Sequence, residues 1–271
     1  MDSTTHYLYR QKRDISIYIV AAIYKHLITK YTLQKYTSNF RSCGAGMILK
    51  NFAVIEGCDG SGTTTQAKLL ENKLKSKENQ KTAGFSAAEP KAKYSLIPYF
   101  VTCEPTQGPV GTLIRRILKR EIPAEKETLA RLFSADRAEH LYGPEGIVTR
   151  CNQGELVVSD RYTPSSLVYQ GLECGRELPE LLNSAFPYPE LLVYIDLDSE
   201  AAIGRIGKRK EQREIYDHLE FQSRVRSAYL ELLPFYEEAG VRVLCLDGTK
   251  EPSELALEIW NEVGKMPIMN K

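Results

Sequence analysis

Phe52-Ala-Val-Ile-Glu-Gly-Cys-Asp-Gly-Ser-Gly-Thr-Thr-Thr-Gln66 reads as an apolar strand that enters a glycine-rich turn and then a helix. In that setting glycines at 57, 60 and 62 let backbone N–H groups converge on phosphate oxygens, and the helix that follows adds its positive N-terminal end. The run Gly57, Cys58, Asp59, Gly60, Ser61, Gly62, Thr63, Thr64 and Thr65 is therefore a candidate phosphate loop. Thr64 stands where such a loop offers a hydroxyl to Mg²⁺. Thr63 stands where the loop's lysine would reach the β- and γ-phosphates. This departure matters, because hydrogen bonds to charged groups contribute about 1.5–3 kcal/mol each, and loss of a transition-state contact costs on the order of 100- to 1,000-fold in rate. A lysine-free glycine turn also fits a plain strand-to-helix connection, so the rest of the chain has to decide between them.

Short apolar runs alternate with longer segments of helical periodicity on both sides of the loop, the pattern of a parallel sheet with crossover helices. Five strands are expected, at 52–56, 99–103, 155–159, 191–197 and 241–246, each rich in β-branched, aromatic or leucine residues. Helices are expected at 64–77, 110–119, 126–151, 199–208, 219–239 and 252–263, with Gly240 placed to close the fifth. Residues 76–98 mix Lys, Ser, Ala, Gly and Pro without sustained periodicity and read as an exposed insertion before the second strand.

The 271 residues carry 36 Lys plus Arg against 35 Asp plus Glu, a net charge of +1 that selects no polyanionic macromolecule as partner. That balance is uneven. Residues 1–46 hold seven basic and two acidic residues, a local +5, which leaves −4 for the remainder. The apolar run Ile15–Ile23 within this segment is shorter than the roughly 18 residues a membrane span needs. A signal h-region, a basic transit peptide and an upstream extension with translation from Met47 all fit the segment, and the third is the favoured expectation. The domain is thus expected to be 47–271. The six cysteines include no CxxC pair, which points away from zinc and from a disulfide framework and toward a reducing, cytoplasmic setting.

Four stretches in fixed order, the glycine loop, Thr102-Cys-Glu-Pro105, Leu132-Phe-Ser-Ala-Asp-Arg137 and Ser159-Asp-Arg-Tyr-Thr-Pro-Ser-Ser-Leu-Val-Tyr-Gln-Gly171, resemble the thymidylate kinase family, with similarity from about Asn51 to the C-terminal helix. The resemblance implies the P-loop NTPase type of α/β fold: three layers, with a five-stranded parallel sheet flanked by helices and a small helical lid. It implies ATP and dTMP as substrates, Mg²⁺ as cofactor, and a homodimer. No nucleic-acid or membrane partner is expected.

The resemblance also distributes roles. Asp59 would accept a hydrogen bond from the sugar 3′-hydroxyl, and Glu104 lies at the carboxyl edge of the second strand, where open α/β sheets bind ligands. Many relatives carry arginine at the place of Cys103, so a donor to the acceptor phosphate is lost here or comes from elsewhere. Phe133 would stack on thymine and Arg137, four residues on, would hydrogen-bond the base edge. Arg161 would bridge donor and acceptor phosphates, with Asp160 holding Mg²⁺ or its water shell and Tyr162 beside them. Tyr169 and Gln170 would wall the sugar and contact the base. The basic stretch about 204–217 lies where the family has its lid, and Arg209 or Arg213, helped by Lys208, would replace the missing lysine's charge. Taken alone these residues also have structural readings: an Asx turn for Asp59, a core Phe beside a surface Arg, an Asp160–Arg161 ion pair, a solvated charge run. Two other functions stay open, a related nucleotide or deoxynucleoside kinase and a nucleotide-binding pseudoenzyme. The four histidines form no ligand spacing and Trp260 reads as core, so neither type is given chemistry.

Overall fold

In the computed structural model the described residues are 46–82, 97–208, 215, 216 and 218–270, with only the backbone described for 76–82 and 208. They all belong to one unit, Ala45–Lys271. The expected leader, apart from Gly46, lies outside them, as do 83–96 of the expected insertion and Arg209 and Arg213 of the expected lid.

Five strands form one sheet in the order β2-β3-β1-β4-β5: β1 (Ile48–Gly57), β2 (Tyr99–Cys103), β3 (Leu156–Asp160), β4 (Tyr188–Asp196) and β5 (Arg242–Asp247). Every neighbouring pair is parallel. The connections are helical: α1 (Thr63–Thr82), α2 (Pro109–Leu118), α3 (Lys126–Tyr142), α4 (Ile147–Asn152), α5 (Thr163–Cys174), α6 (Glu177–Asn183), α7 (Ser199–Lys208), α8 (Leu219–Glu238) and α9 (Pro252–Val263). This is the expected α/β architecture. Pro109, Pro164 and Pro252 each sit in the first turn of a helix, where a missing N–H costs nothing.

Strand alternation divides the interior in two. Phe52, Val54, Val157 and Leu192 turn to one face and pack with α2, α3, α5 and α8, whereas Ala53, Ile55, Val158 and Val193 turn to the other and pack with α1 and α9. Full burial of such a side chain contributes about 1.5–3 kcal/mol, and both faces of β1 are buried. A near-continuous apolar run was therefore its correct signature.

Several boundaries differ from expectation for local reasons. The single helix expected over 126–151 is two, because Gly143 and Pro144 interrupt it and Gly146 opens α4. Helix α1 runs five residues past its expected end, to Thr82, into the stretch read as insertion. Helices α5 and α6 were not foreseen, since the first begins inside the Ser159–Gly171 motif and the second has only seven residues.

Because the sheet is parallel, Gly57, Cys103 and Asp160 end their strands at one edge, and the register pairs both Ile55 and Cys103 with Asp160. Three of the four sequence motifs are thereby brought to one place, and α3 lies against the same edge through contacts of its own.

Candidate active site

The glycine loop leaves β1 in a conformation that glycine makes accessible. Gly60 and Gly62 have φ of +85° and +103°, and a Cβ at Gly60 would fall 2.5 Å from the Ala202 carbonyl oxygen on α7. The Ser61 N–H closes the turn on the Cys58 carbonyl at 3.1 Å. Thr63 faces inward, 5% exposed, so the position that lacks lysine contributes no charge to the surface of the loop. Thr64 faces outward, and its Oγ1 donates to Asp160 Oδ2 at 2.5 Å. Asp160 Oδ1 is buried and has no hydrogen-bond partner, as is Ser61 Oγ.

A cleft of about 430 Å³ opens at this edge, and Asp59, Thr64, Glu104, Phe133, Arg137, Asp160, Arg161, Tyr162, Tyr169 and Gln170 all line it. The other loop residues do not line it: Gly57 ends β1, Cys58, Gly60, Ser61 and Gly62 form the turn, and Thr63 and Thr65 belong to the first turn of α1. The same cleft takes in residues that the sequence did not single out, notably Arg115, Lys119, Ser165 and Tyr216. Four cationic side chains (Arg115, Lys119, Arg137, Arg161) face three carboxylates (Asp59, Glu104, Asp160), so a cleft in a net-acidic domain is locally basic.

At the phosphate-loop end, Arg161 does not pair with its neighbour Asp160. Its Nη2 donates to Asp59 Oδ1 at 2.7 Å, and Nη1 donates to the Gly57 carbonyl at 2.9 Å and to Ser165 Oγ at 3.1 Å. Its backbone has φ of +73°, a conformation that costs a non-glycine residue of order 1–3 kcal/mol. The restraint comes from behind. Glu56, the fully buried penultimate residue of β1, accepts the Tyr162 N–H at 2.8 Å, Ser165 Oγ at 2.7 Å and the Tyr229 hydroxyl at 2.8 Å. Burial pushes the Glu56 carboxyl up to about 6, with Arg161 the largest opposing influence.

At the other end, Arg137 is 1% exposed. Its Nε donates to Glu104 Oε2 at 2.8 Å, its Nη1 to Asn183 Oδ1 at the end of α6, and its Nη2 to the Tyr162 carbonyl at 3.1 Å. Glu104 is held on its second oxygen by His140 Nδ1 at 3.1 Å, and His140 Nε2 lies 2.8 Å from Thr102 Oγ1. His140 thus has a structural place that its isolated position in the sequence could not signal. Phe133 shares α3 with Arg137 and faces the same space. Asp136 between them turns away to bind the Thr106 N–H and hydroxyl at 2.7 and 2.6 Å, which ties the Glu104-Pro105 turn to α3.

Between the two ends lies Cys103, whose thiol burial pushes up, with Arg115 opposing. Arg115 of α2 reaches over this cysteine: its guanidinium donates to the carbonyls of Pro105 and Thr106 and sits 3.7 Å from Cys103 Sγ. Tyr169 lies beneath Arg161, the guanidinium 5.4 Å from its ring centre. Gln170 Nε2 faces the Tyr216 hydroxyl at 3.5 Å.

Among the described residues no group of three or more His, Cys, Asp or Glu could enclose a metal. The pair Thr64 and Asp160 nevertheless suits Mg²⁺, an oxygen-seeking ion that takes one or two protein ligands and completes its shell with water and phosphate. The partnerless Asp160 Oδ1 is what such an ion or its water would use. No helix among the described residues is long and apolar enough to cross a membrane.

A family model described as thymidylate kinase matches residues 81–259. Similar whole proteins are assigned as thymidylate kinases. One from Treponema pallidum is 38% identical over 182 residues, 67% of this chain and 78% of the relative. One from Aeropyrum pernix is 38% identical over 206 residues, 75% and 88% of the two chains. A third, from Methanococcus aeolicus, is 34% identical over 215 residues, 78% and 94%.

Proposed function

The chain belongs to the thymidylate kinase family, and we propose that it transfers the γ-phosphoryl group of ATP to dTMP, giving dTDP and ADP in the cytoplasm. One observation carries this reading. A single cleft gathers, from three separate segments, a glycine loop suited to a nucleotide's phosphates, a guanidinium at the strand edge and an aromatic–arginine pair suited to a base.

In this reading Phe133 offers a flat contact to thymine, and Arg137 selects a carbonyl acceptor with the second N–H of Nη1, the first being given to Asn183. Asp59 receives the sugar 3′-hydroxyl. Arg115 takes the place of the donor that Cys103 lacks and holds the acceptor phosphate. Thr64 and Asp160 would hold Mg²⁺, whose charge would screen the phosphates of ATP. Arg161 spans the donor and acceptor phosphates and stabilises the charge that builds up between them as the bond to the β-phosphate oxygen breaks and that to the dTMP oxygen forms. No general base is required, because a phosphate monoester has a second pKa near 6 and its attacking oxygen is already anionic at neutral pH. The absent lysine's charge is supplied by Arg209 or Arg213 of the lid.

The test is coupled detection of ADP with dTMP and Mg²⁺. Turnover with dTMP above that with dUMP, dGMP or thymidine is expected, and exchange of Arg209 and Arg213 together for alanine should abolish it while sparing dTMP binding. Binding of dTMP without ADP release from the wild type, with turnover appearing in Thr63→Lys, would overturn the reaction in favour of a nucleotide-binding pseudoenzyme.

A further inference from the structure

Gln222 lies in the first turns of α8, outside every motif, and is fully buried. Its amide nevertheless faces the glycine loop. Oε1 accepts the Asp59 N–H at 3.1 Å, and Nε2 donates both to Asp59 Oδ2 at 3.0 Å and to the Tyr216 carbonyl at 3.0 Å. Only this orientation of the amide works, since the reverse would set its oxygen against two acceptors and its nitrogen against a donor. Every N–H of the side-chain amide is thus committed.

The consequence falls on the Asp59 carboxylate. A carboxylate beside a lone guanidinium tends to pair with it through both oxygens. Here Arg161 takes Oδ1 and Gln222 takes Oδ2, so that the pairing with Arg161 runs through one oxygen and the carboxylate is anchored at both. Each oxygen keeps an acceptor direction of its own, and the side chain retains partial exposure to the cleft while its clamp is buried.

We propose that Gln222 is a positioning residue for sugar recognition: by anchoring Oδ2 while Arg161 holds Oδ1, it orients Asp59 so that the carboxylate meets the acceptor's 3′-hydroxyl. This rests on the assignment of Asp59 to that hydroxyl. The role differs from a generally structural one in a measurable way, because it acts on a substrate that has the hydroxyl and leaves a substrate without it unaffected.

The experiment compares kcat/KM for dTMP and for 3′-deoxythymidine monophosphate in wild type and in Gln222→Met, which keeps the volume and removes all three hydrogen bonds. Gln222→Ala serves as the second variant if the first fails to fold. The wild type should prefer dTMP, and the variant should lose about tenfold of that preference, the equivalent of one hydrogen bond to a charged group. Equal losses on both substrates, or a wild type with no preference, would overturn the proposal. A wild type that binds dTMP without turnover removes the proposed reaction instead, and the same ratio is then read from dissociation constants.

Discussion

At the end of the cleft proposed to take the base, Arg137 is 1% exposed and held by groups from three other segments, with Glu104 fixed in turn by His140. At the phosphate end, Arg161 and Asp59 remain partly open to the cleft, and Asp160 Oδ1 and Ser61 Oγ have no partner. The first region is finished by the protein itself. In the proposed reading the second is finished only when phosphate and cation arrive; its restraint lies behind the surface, in Glu56 and in the strained backbone of Arg161. A base is neutral and can be met by a rigid pocket, whereas a transferring phosphoryl group needs charges that stay available to it.

The contrast predicts that equivalent truncations act on different observables. Arg137→Ala leaves Glu104 buried without its counter-charge and should destabilise the fold by about 3–5 kcal/mol, measured by urea unfolding. Adding Glu104→Gln should recover part of that loss, and a stability close to wild type in the single variant would show that the base end is not self-supporting. Arg161→Ala should instead leave the urea midpoint nearly unchanged and lower kcat on the order of 100- to 1,000-fold, the cost of one transition-state contact. Were its main effect on stability, the two ends would not differ in kind.

Arg115→Ala sharpens the boundary between them. It should raise KM for dTMP by about ten- to a hundredfold with a smaller change in kcat, as expected for a ground-state contact to the acceptor phosphate. The smallest effect concerns pH. Glu56 holds its proton more tightly folded than at its ordinary 4.5, so its protonated form stabilises the fold. That contribution is complete below pH 4.5 and is lost as pH rises through about 6. The stability of wild type relative to Glu56→Gln should therefore fall by about 2 kcal/mol across that interval. A difference that stays flat with pH would mean that Glu56 is not the strained group behind the phosphate end.

Much of this was legible beforehand. The apolar runs of β1 to β5 fixed the fold class, because a strand buried on both faces has a recognisable sequence, and the ten foreseen side chains that line the cleft were found from short motifs. Arg115 was missed because nothing in Pro109–Leu118 distinguishes a helical arginine over a cysteine from one in solvent. Asn183 and Gln222 were missed for the same reason, Glu56 and Ser165 because they lie inside the quoted motifs but partner each other across 109 residues, and α5 and α6 because a motif and a short segment mask helical periodicity.

The chain alone therefore determined the order of elements and the glycines that permit the loop's turn, which follow from local backbone preference and near-neighbour spacing, while the chemical types in the cleft were read from the resemblance of four ordered motifs to a family. Only the tertiary structure decided that Arg161 pairs with Asp59, 102 residues away, in preference to adjacent Asp160, and that Gln222 reaches the loop from 163 residues away. Those partnerships depend on the parallel register that brings three strand ends to one edge, and on which buried polar atoms must find a partner once water is excluded.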